Sequence, residues 1–280
     1  MIEIKKKDIY INLFDNISEL THYLTRPRKS DRASESEKDD YSFTKTRTYK
    51  ESVNLFKYGD EDLYKRIKEN KSKINIEELL GNVIKRRSYQ KNVYGCVPNV
   101  PAYLMSNPIN MLLREESKNS QKIVNIFLDV CCPWHVTADE IEAAGTRYLV
   151  IIDLLEKAGY RCNLYAGTSS KEDYIDEKHI LLTRIKTDRE PLNMKKMCFP
   201  IAHPSMLRRI YFRWEEVNDC QRELTHNGYG SFMKAEQTKE ILERELKSNF
   251  LVWSYKEKSG RFDIKEVLDQ LEQSGIKILE

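Results

Sequence analysis

The residues best equipped for chemistry lie within one short run, Asp129-Val130-Cys131-Cys132-Pro133-Trp134-His135. A thiol beside an imidazole is a nucleophile-and-base inventory, able to serve acyl transfer or hydrolysis if the thiol pKa is lowered. Cys131, Cys132 and His135 could instead hold Zn²⁺ with one distant residue, but their spacing matches no strong zinc pattern. Asp129 offers a carboxylate either as the cap of a turn or as a ligand for a hard cation. The plainer reading is preferred in each case. Small cysteines at a strand end are commoner as packing than as catalysts, and Asp129 reads as a turn or cap residue. His203 precedes Pro204 and reads as a helix cap, with a position from which it could also meet Asp129. Any binding site is therefore expected to comprise Asp129, Trp134, His135 and His203, with the catalytic residues unassigned. Arg208, Arg209 and Arg213 are interleaved with Tyr211, Phe212 and Trp214. Such a pattern can bind single-stranded nucleic acid, and it equally suits an amphipathic helix with aromatics inside and guanidinium groups outside.

Several function classes are disfavoured. The chain has no G-x-x-x-x-G-K-[ST] loop, no G-x-G-x-x-G and no H-E-x-x-H. Only ten glycines are present, so few places let the backbone approach a phosphate closely. Lysine and arginine number 47 against 44 acidic residues, and a net charge of +3 does not mark a general nucleic-acid binder. No apolar run reaches the ~18 residues of a membrane span, and no apolar stretch follows the basic start, so neither a membrane partner nor a signal peptide is expected. The six cysteines form no C-x-x-C pair, which fits a reducing cytoplasm and free thiols.

The elements that must position these residues follow from periodicity. Val124–Leu128 reads as a buried strand ending on Asp129. A long amphipathic helix over 138–157 follows, with Thr137 as N-cap and Ala158-Gly159 as its stop. Further strands are expected at 161–166, 179–186 and 249–255, with a polar loop over 167–178. Helices are expected near 192–199, 204–216, 235–247 and 263–274. The first 87 residues read as a helical N-terminal extension. Helices near 49–56, 61–69 and 75–87 are expected there, with a break at Gly59-Asp60 and a mobile loop at 26–41, where almost nothing apolar is present. Residues 88–108, interrupted by Pro98 and Pro101, read as a strap packed across the sheet. Residues 88–280 are expected to form the α/β domain.

A strand ending in Asp, a turn, a helix closing in Leu154-Leu155-Glu156-Lys157-Ala158-Gly159 and then a short strand resembles the start of von Willebrand factor A-like domains. The resemblance implies a mostly parallel, Rossmann-like α/β sheet flanked by helices. It also implies a D-x-S-x-S turn that binds Mg²⁺, and here the chain departs: Cys131 and Pro133 replace the two serines. Lys256, Glu257 and Lys258 stand where a later Asp is expected. Thiol and proline are poor partners for a hard cation, so the metal site is degenerate and no metal or cofactor is expected. A broader resemblance joins Tyr49-Lys50-Glu51-Ser52 through Tyr58-Gly59-Asp60, Gly95–Pro101 with Asn107–Met111, Leu154–Arg161 and Ala202–Arg209. In that order these segments are similar to uncharacterised bacteriophage and prophage proteins. The resemblance implies a phage protein located in the cytoplasm of the bacterial host or in the virion. The function expected is a non-enzymatic module binding another protein, from phage or host, in virion assembly or in contact with host machinery. The alternatives are an enzyme or metal-dependent binder at Asp129, Cys131, Cys132 and His135, and a nucleic-acid binder using Arg208, Arg209 and Arg213.

Overall fold

The computed structural model describes residues 1–29, 34–74, 89–95, 97–114, 123–133, 135–171, 177–218, 231–254, 264–274 and 276. The chain begins with strands β1 (Ile2–Lys5) and β2 (Ile9–Phe14) and helices α1 (Ile17–Tyr23), α2 (Tyr41–Thr44), α3 (Tyr49–Tyr58) and α4 (Glu61–Lys73). A small unit follows, with β3 (Tyr89–Asn92), β4 (Val97–Pro98), α5 (Val100–Leu104) and β5 (Met111–Arg114). The central elements are β6 (Ile123–Asp129), α6 (Ala138–Lys157), β7 (Arg161–Lys171), β8 (Lys178–Lys186) and α7 (Met194–Ala202). A π-helical turn (Met206–Tyr211) runs into α8 (Phe212–Asn218). Then come β9 (Ser231–Phe232), α9 (Ala235–Leu246), β10 (Leu251–Ser254) and α10 (Ile264–Gln273).

β6 sits inside the main sheet, whose order is β1-β2-β8-β7-β6-β10, with β9 added to the end of β7. Its side chains alternate as a pleated strand requires. Val124, Ile126 and Leu128 enter the core shared with α6, α7 and the π-helical turn, while Phe127 enters the opposite core with Ile241 and Leu242 of α9. The sheet is thus buried on both faces, which explains why β6 reads as a near-continuous apolar run. The four strands expected at 123–130, 161–166, 179–186 and 249–255 share this sheet. α6 starts at Thr137, whose hydroxyl accepts from the Glu140 N–H while the Glu140 carboxylate accepts from the Thr137 N–H.

Other expectations need correction. The sheet is mixed rather than mostly parallel: β6 runs parallel to β7 and β10, but β7 is antiparallel to β8 and β9. The reason is the connection between β7 and β8. β7 extends through Lys171, far into the expected polar loop, and too few residues remain before Lys178 for the crossover a parallel pair needs. The N-terminal segment is not only helical, because β1 and β2 belong to the main sheet and β2 pairs in parallel with β8. The expected helix at 75–87 and the boundary at 87 lie outside the described residues. Gly59 does break the chain: it closes α3 at φ +88°, a backbone conformation other residues rarely adopt, and Asp60 caps α4. The segment at 26–41 is anchored where it is described, since Ser36 is fully buried against Glu216. Among the described residues no helix is long and apolar enough to cross a membrane.

Candidate functional site

Asp129 ends β6 in near-complete burial. One carboxylate oxygen accepts from the Cys131 N–H at 3.0 Å and from the Ser169 N–H at 3.3 Å. The other accepts from the Ser169 hydroxyl, whose oxygen in turn accepts from Thr238 at 3.0 Å. The carboxylate therefore caps its own turn and ties β6 to β7 and α9. Beside Asp129 in β7, Gly167 lets β8 come close, since a Cβ there would meet the Leu181 carbonyl at 1.7 Å. Burial pushes the neighbouring Tyr211 phenol well above its ordinary pKa, and the Asp129 charge acts in the same direction.

Of the other expected residues, Cys131 is tied to Asp129 through its N–H. Cys131 and Cys132 are half-buried and His135 is exposed in the turn before α6. Trp134 lies outside the described residues. His203 caps α7: its Nδ1 accepts from the Ser205 N–H at 3.1 Å, its ring stacks on Phe199, and its Nε2 lies 3.8 Å from Asp60. Burial lowers its pKa to about 3, so the ring is neutral. Its partners are those of a structural cap, and Asp129 is not one of them. Among the described residues no three His, Cys, Asp or Glu side chains converge as a metal ion would require.

The arginines expected on an outer face point inward. Arg209 is fully buried, donating to the Thr46 hydroxyl at 2.8 Å, the Thr46 carbonyl at 2.8 Å, the Ser36 carbonyl at 3.0 Å and the Thr44 hydroxyl at 3.3 Å. Arg213 donates to the Leu24 carbonyl at 3.3 Å and lies 3.7 Å from Glu216. Glu216 also accepts from the Ser36 N–H at 3.0 Å and the Ser36 hydroxyl at 2.8 Å. The cause is chemical: a segment with few apolar side chains is held on a core mainly through hydrogen bonds, and guanidinium groups supply them in number. Arg208 is buried too, lies over the Phe43 ring, and has an Nε without an acceptor. Burial pulls its pKa down to about 10, while the Cys132 thiol and the Asp40 carboxylate act in the opposite sense. These guanidinium groups are not presented to a phosphate backbone.

A family model described as Domain of unknown function (DUF7192) matches residues 3–277. The chain belongs to the DUF7192 family. No curated protein and no solved structure matches it.

In this DUF7192 chain the most distinctive surface lies where sequence reasoning placed a packed strap. β3, β5 and β4 form a separate antiparallel three-stranded sheet, with α5 in the connection from β4 to β5. Of the fourteen large apolar side chains exposed among the described residues, eight fall between Val93 and Ile109, so the exposure is concentrated rather than scattered. Leu104 is 76% exposed and Met105 82%. The unit from Tyr89 to Arg114 carries Lys91 and Arg114 as its only charges, in a chain that is 32% charged. That depletion of charge marks the unit in the sequence, and it suits a packed strap and an exposed apolar surface alike.

Proposed function

We propose that this chain is a non-enzymatic phage protein that binds another protein, in virion assembly or in contact with host machinery, within the bacterial cytoplasm or the virion. The observation that carries the reading is the concentration of exposed large apolar side chains in the small unit, with Tyr94 just after β3 and Val100, Tyr103, Leu104 and Met105 in and at the end of α5. Contiguous exposed apolar surface on a folded chain marks an interaction site. Tyrosine and methionine are enriched at interface centres while charged residues are depleted there, which is the composition of Tyr89–Arg114. The absence of any acidic side chain in that unit favours a partner whose contact surface is apolar and neutral or weakly acidic. Asp129 is in keeping with the same reading, because its oxygens are engaged by the turn and by β7. The von Willebrand factor A-like reading of the fold belongs to this proposal. It is supported by β6 ending on Asp129, by α6 following the turn, and by β7 lying parallel to β6.

The test compares the full chain with a Tyr103→Asp, Leu104→Asp double variant, each used as bait in infected cells and read by cross-linking and mass spectrometry. One protein should be enriched by the parent chain and lost with the variant. Identical captured sets would overturn the reading. Sedimentation velocity on the same pair reports whether the face joins two copies instead, in which case only the parent chain would dimerise.

A further inference from the structure

The main sheet ends in β1, with β2 on one side and, among the described residues, no strand on the other. The Lys6 N–H donates to the Ile9 carbonyl at 2.8 Å and closes the turn between the two strands. Bonded and unbonded pairs alternate along an antiparallel ladder from that point. Ile4 and Ile2 therefore exchange backbone bonds with Ile11 and Leu13, their partners in register. Glu3 and Lys5 turn their N–H and carbonyl groups the other way, towards the open edge. A row of such groups is a template for another strand.

The side chains of β1 alternate as well. Ile2 and Ile4 share the face of Ile11 and Leu13, and Ile4 packs on the core that holds them. That core runs out at the edge, where Ile2 is 50% exposed. Glu3 and Lys5 share the opposite face with Tyr10, whose hydroxyl donates to Glu3 at 3.2 Å and whose ring lies 6.0 Å from the Lys5 ammonium. Both charged residues are exposed. Charges on an edge strand ordinarily repel a second strand. Here they are opposite in sign and two residues apart, so the outcome depends on the strand that approaches.

A second β1, approaching antiparallel, is such a strand. With Glu3 opposite Glu3, or Lys5 opposite Lys5, like charges meet face to face, which is destabilising. The remaining register sets Glu3 of each copy opposite Lys5 of the other. Their outward backbone groups then form bonded pairs, and Ile4 meets Ile4 as an unbonded pair, the kind with the closer side chains. Ile2 falls opposite Lys6, whose ammonium is held by Glu245 at 2.5 Å and whose stem is left to cover it.

We propose that β1 pairs edge to edge with β1 of a second copy of this chain, antiparallel about a two-fold axis at Ile4, so that two main sheets run into one. The contact is self-complementary, as a two-fold interface must be. Opposite charges fix its register, and the apolar strip of Ile2 and Ile4 continues across the axis. It is separate from the exposed unit at Tyr89–Arg114.

Sedimentation velocity on the full chain tests this, at concentrations up to about 0.3 mM because a short edge strand makes a small interface. The parent chain should pass from monomer to dimer across that range. Glu3→Lys and Lys5→Glu each set like charges opposite one another in every register, and each should weaken dimerisation by about tenfold or more. The double variant Glu3→Lys, Lys5→Glu restores the opposite charges and should return to within about threefold of the parent. Both positions are exposed, and circular dichroism verifies that each variant is folded. Should one single variant fail to fold, the other single variant and the double variant carry the same comparison. A parent chain that stays monomeric at about 0.3 mM overturns the proposal. So does a folded single variant that dimerises like the parent, or a double variant that dimerises no better than the single ones. A dimer that survives Glu3→Lys but is lost with Tyr103→Asp, Leu104→Asp also overturns it, because the contact then lies in the small unit.

Discussion

Two regions of this molecule exchange the roles their compositions suggest. Residues 203–216, with one histidine, three arginines and two glutamates, look like a surface for ligands, yet His203, Arg208, Arg209 and Glu216 are all buried. Residues 89–114, nearly free of charge, look like core, yet they hold most of the large exposed apolar side chains among the described residues. Residue type reports what a side chain can bond to, and exposure is decided by what the rest of the chain brings to it. The polar segment carrying Ser34, Ser36, Thr44 and Thr46 has little that is apolar to bury, so Arg209 and Glu216 hold it through hydrogen bonds.

The comparison is broken most severely at Arg209. Arg209→Met removes a guanidinium that satisfies two carbonyls and two hydroxyls in the buried seam, and a loss of about 3–5 kcal/mol is expected. Urea unfolding of the parent and variant measures it. A loss below about 1 kcal/mol would mean the arginine is dispensable to the fold, as a surface arginine would be.

His203 gives the next largest effect, and it depends on pH. Its pKa is near 6.5 in the unfolded chain and about 3 in the folded one. Between those values the unfolded chain takes up a proton that the folded chain refuses. Stability from this group is therefore fully present above pH 6.5 and is lost progressively as pH falls towards 3, by up to about 4 kcal/mol. His203→Gln cannot titrate, so the stability gap between parent and variant should shrink as pH falls through that window. A gap constant from pH 7 to pH 4 would place His203 in water.

Asp129→Ala comes third, at about 2–3 kcal/mol, because two N–H groups and the Ser169 hydroxyl lose an acceptor inside the protein. Thermal melts with and without Mg²⁺ should coincide for the parent chain, and also for the variant. Stoichiometric, Asp129-dependent Mg²⁺ binding in calorimetry would revive the metal-dependent alternative.

How much of this was legible follows from which signals are local. The β6–turn–α6–β7 unit was readable because its cues lie within a few residues: an apolar run, the Thr137–Glu140 box and the Ala158-Gly159 stop. The capping role of Asp129 was readable for the same reason, since its turn donor, the Cys131 N–H, is two residues away. The partners in β7 and α9, Ser169 and Thr238, were not readable, because they arrive 40 and 69 residues apart. The antiparallel β8 escaped because Gly167–Lys171 is polar yet extended. The inward arginines escaped because a guanidinium buried by hydrogen bonds to a distant loop has the same sequence signature as one in water.

The smallest effect is the sharpest test of the other half of the comparison. Leu104 lies at the end of α5, a short helix with Asn99 as N-cap and Pro101 in its first turn, and none of its residues is buried. Leu104→Asp should therefore change global stability by less than about 0.5 kcal/mol, where the same change in β6 would be ruinous. Its control is Gly95→Ala. A Cβ there would meet the Leu112 carbonyl at 2.3 Å, so this gentler substitution should open the small sheet while leaving the main one intact. Hydrogen exchange over residues 89–114 separates the two outcomes, with fast exchange expected for Gly95→Ala and parent-like protection for Leu104→Asp. If Leu104→Asp costs 2 kcal/mol or more, on the order of what a buried leucine loses, the apolar face is covered by this chain's own residues and is not free for a partner.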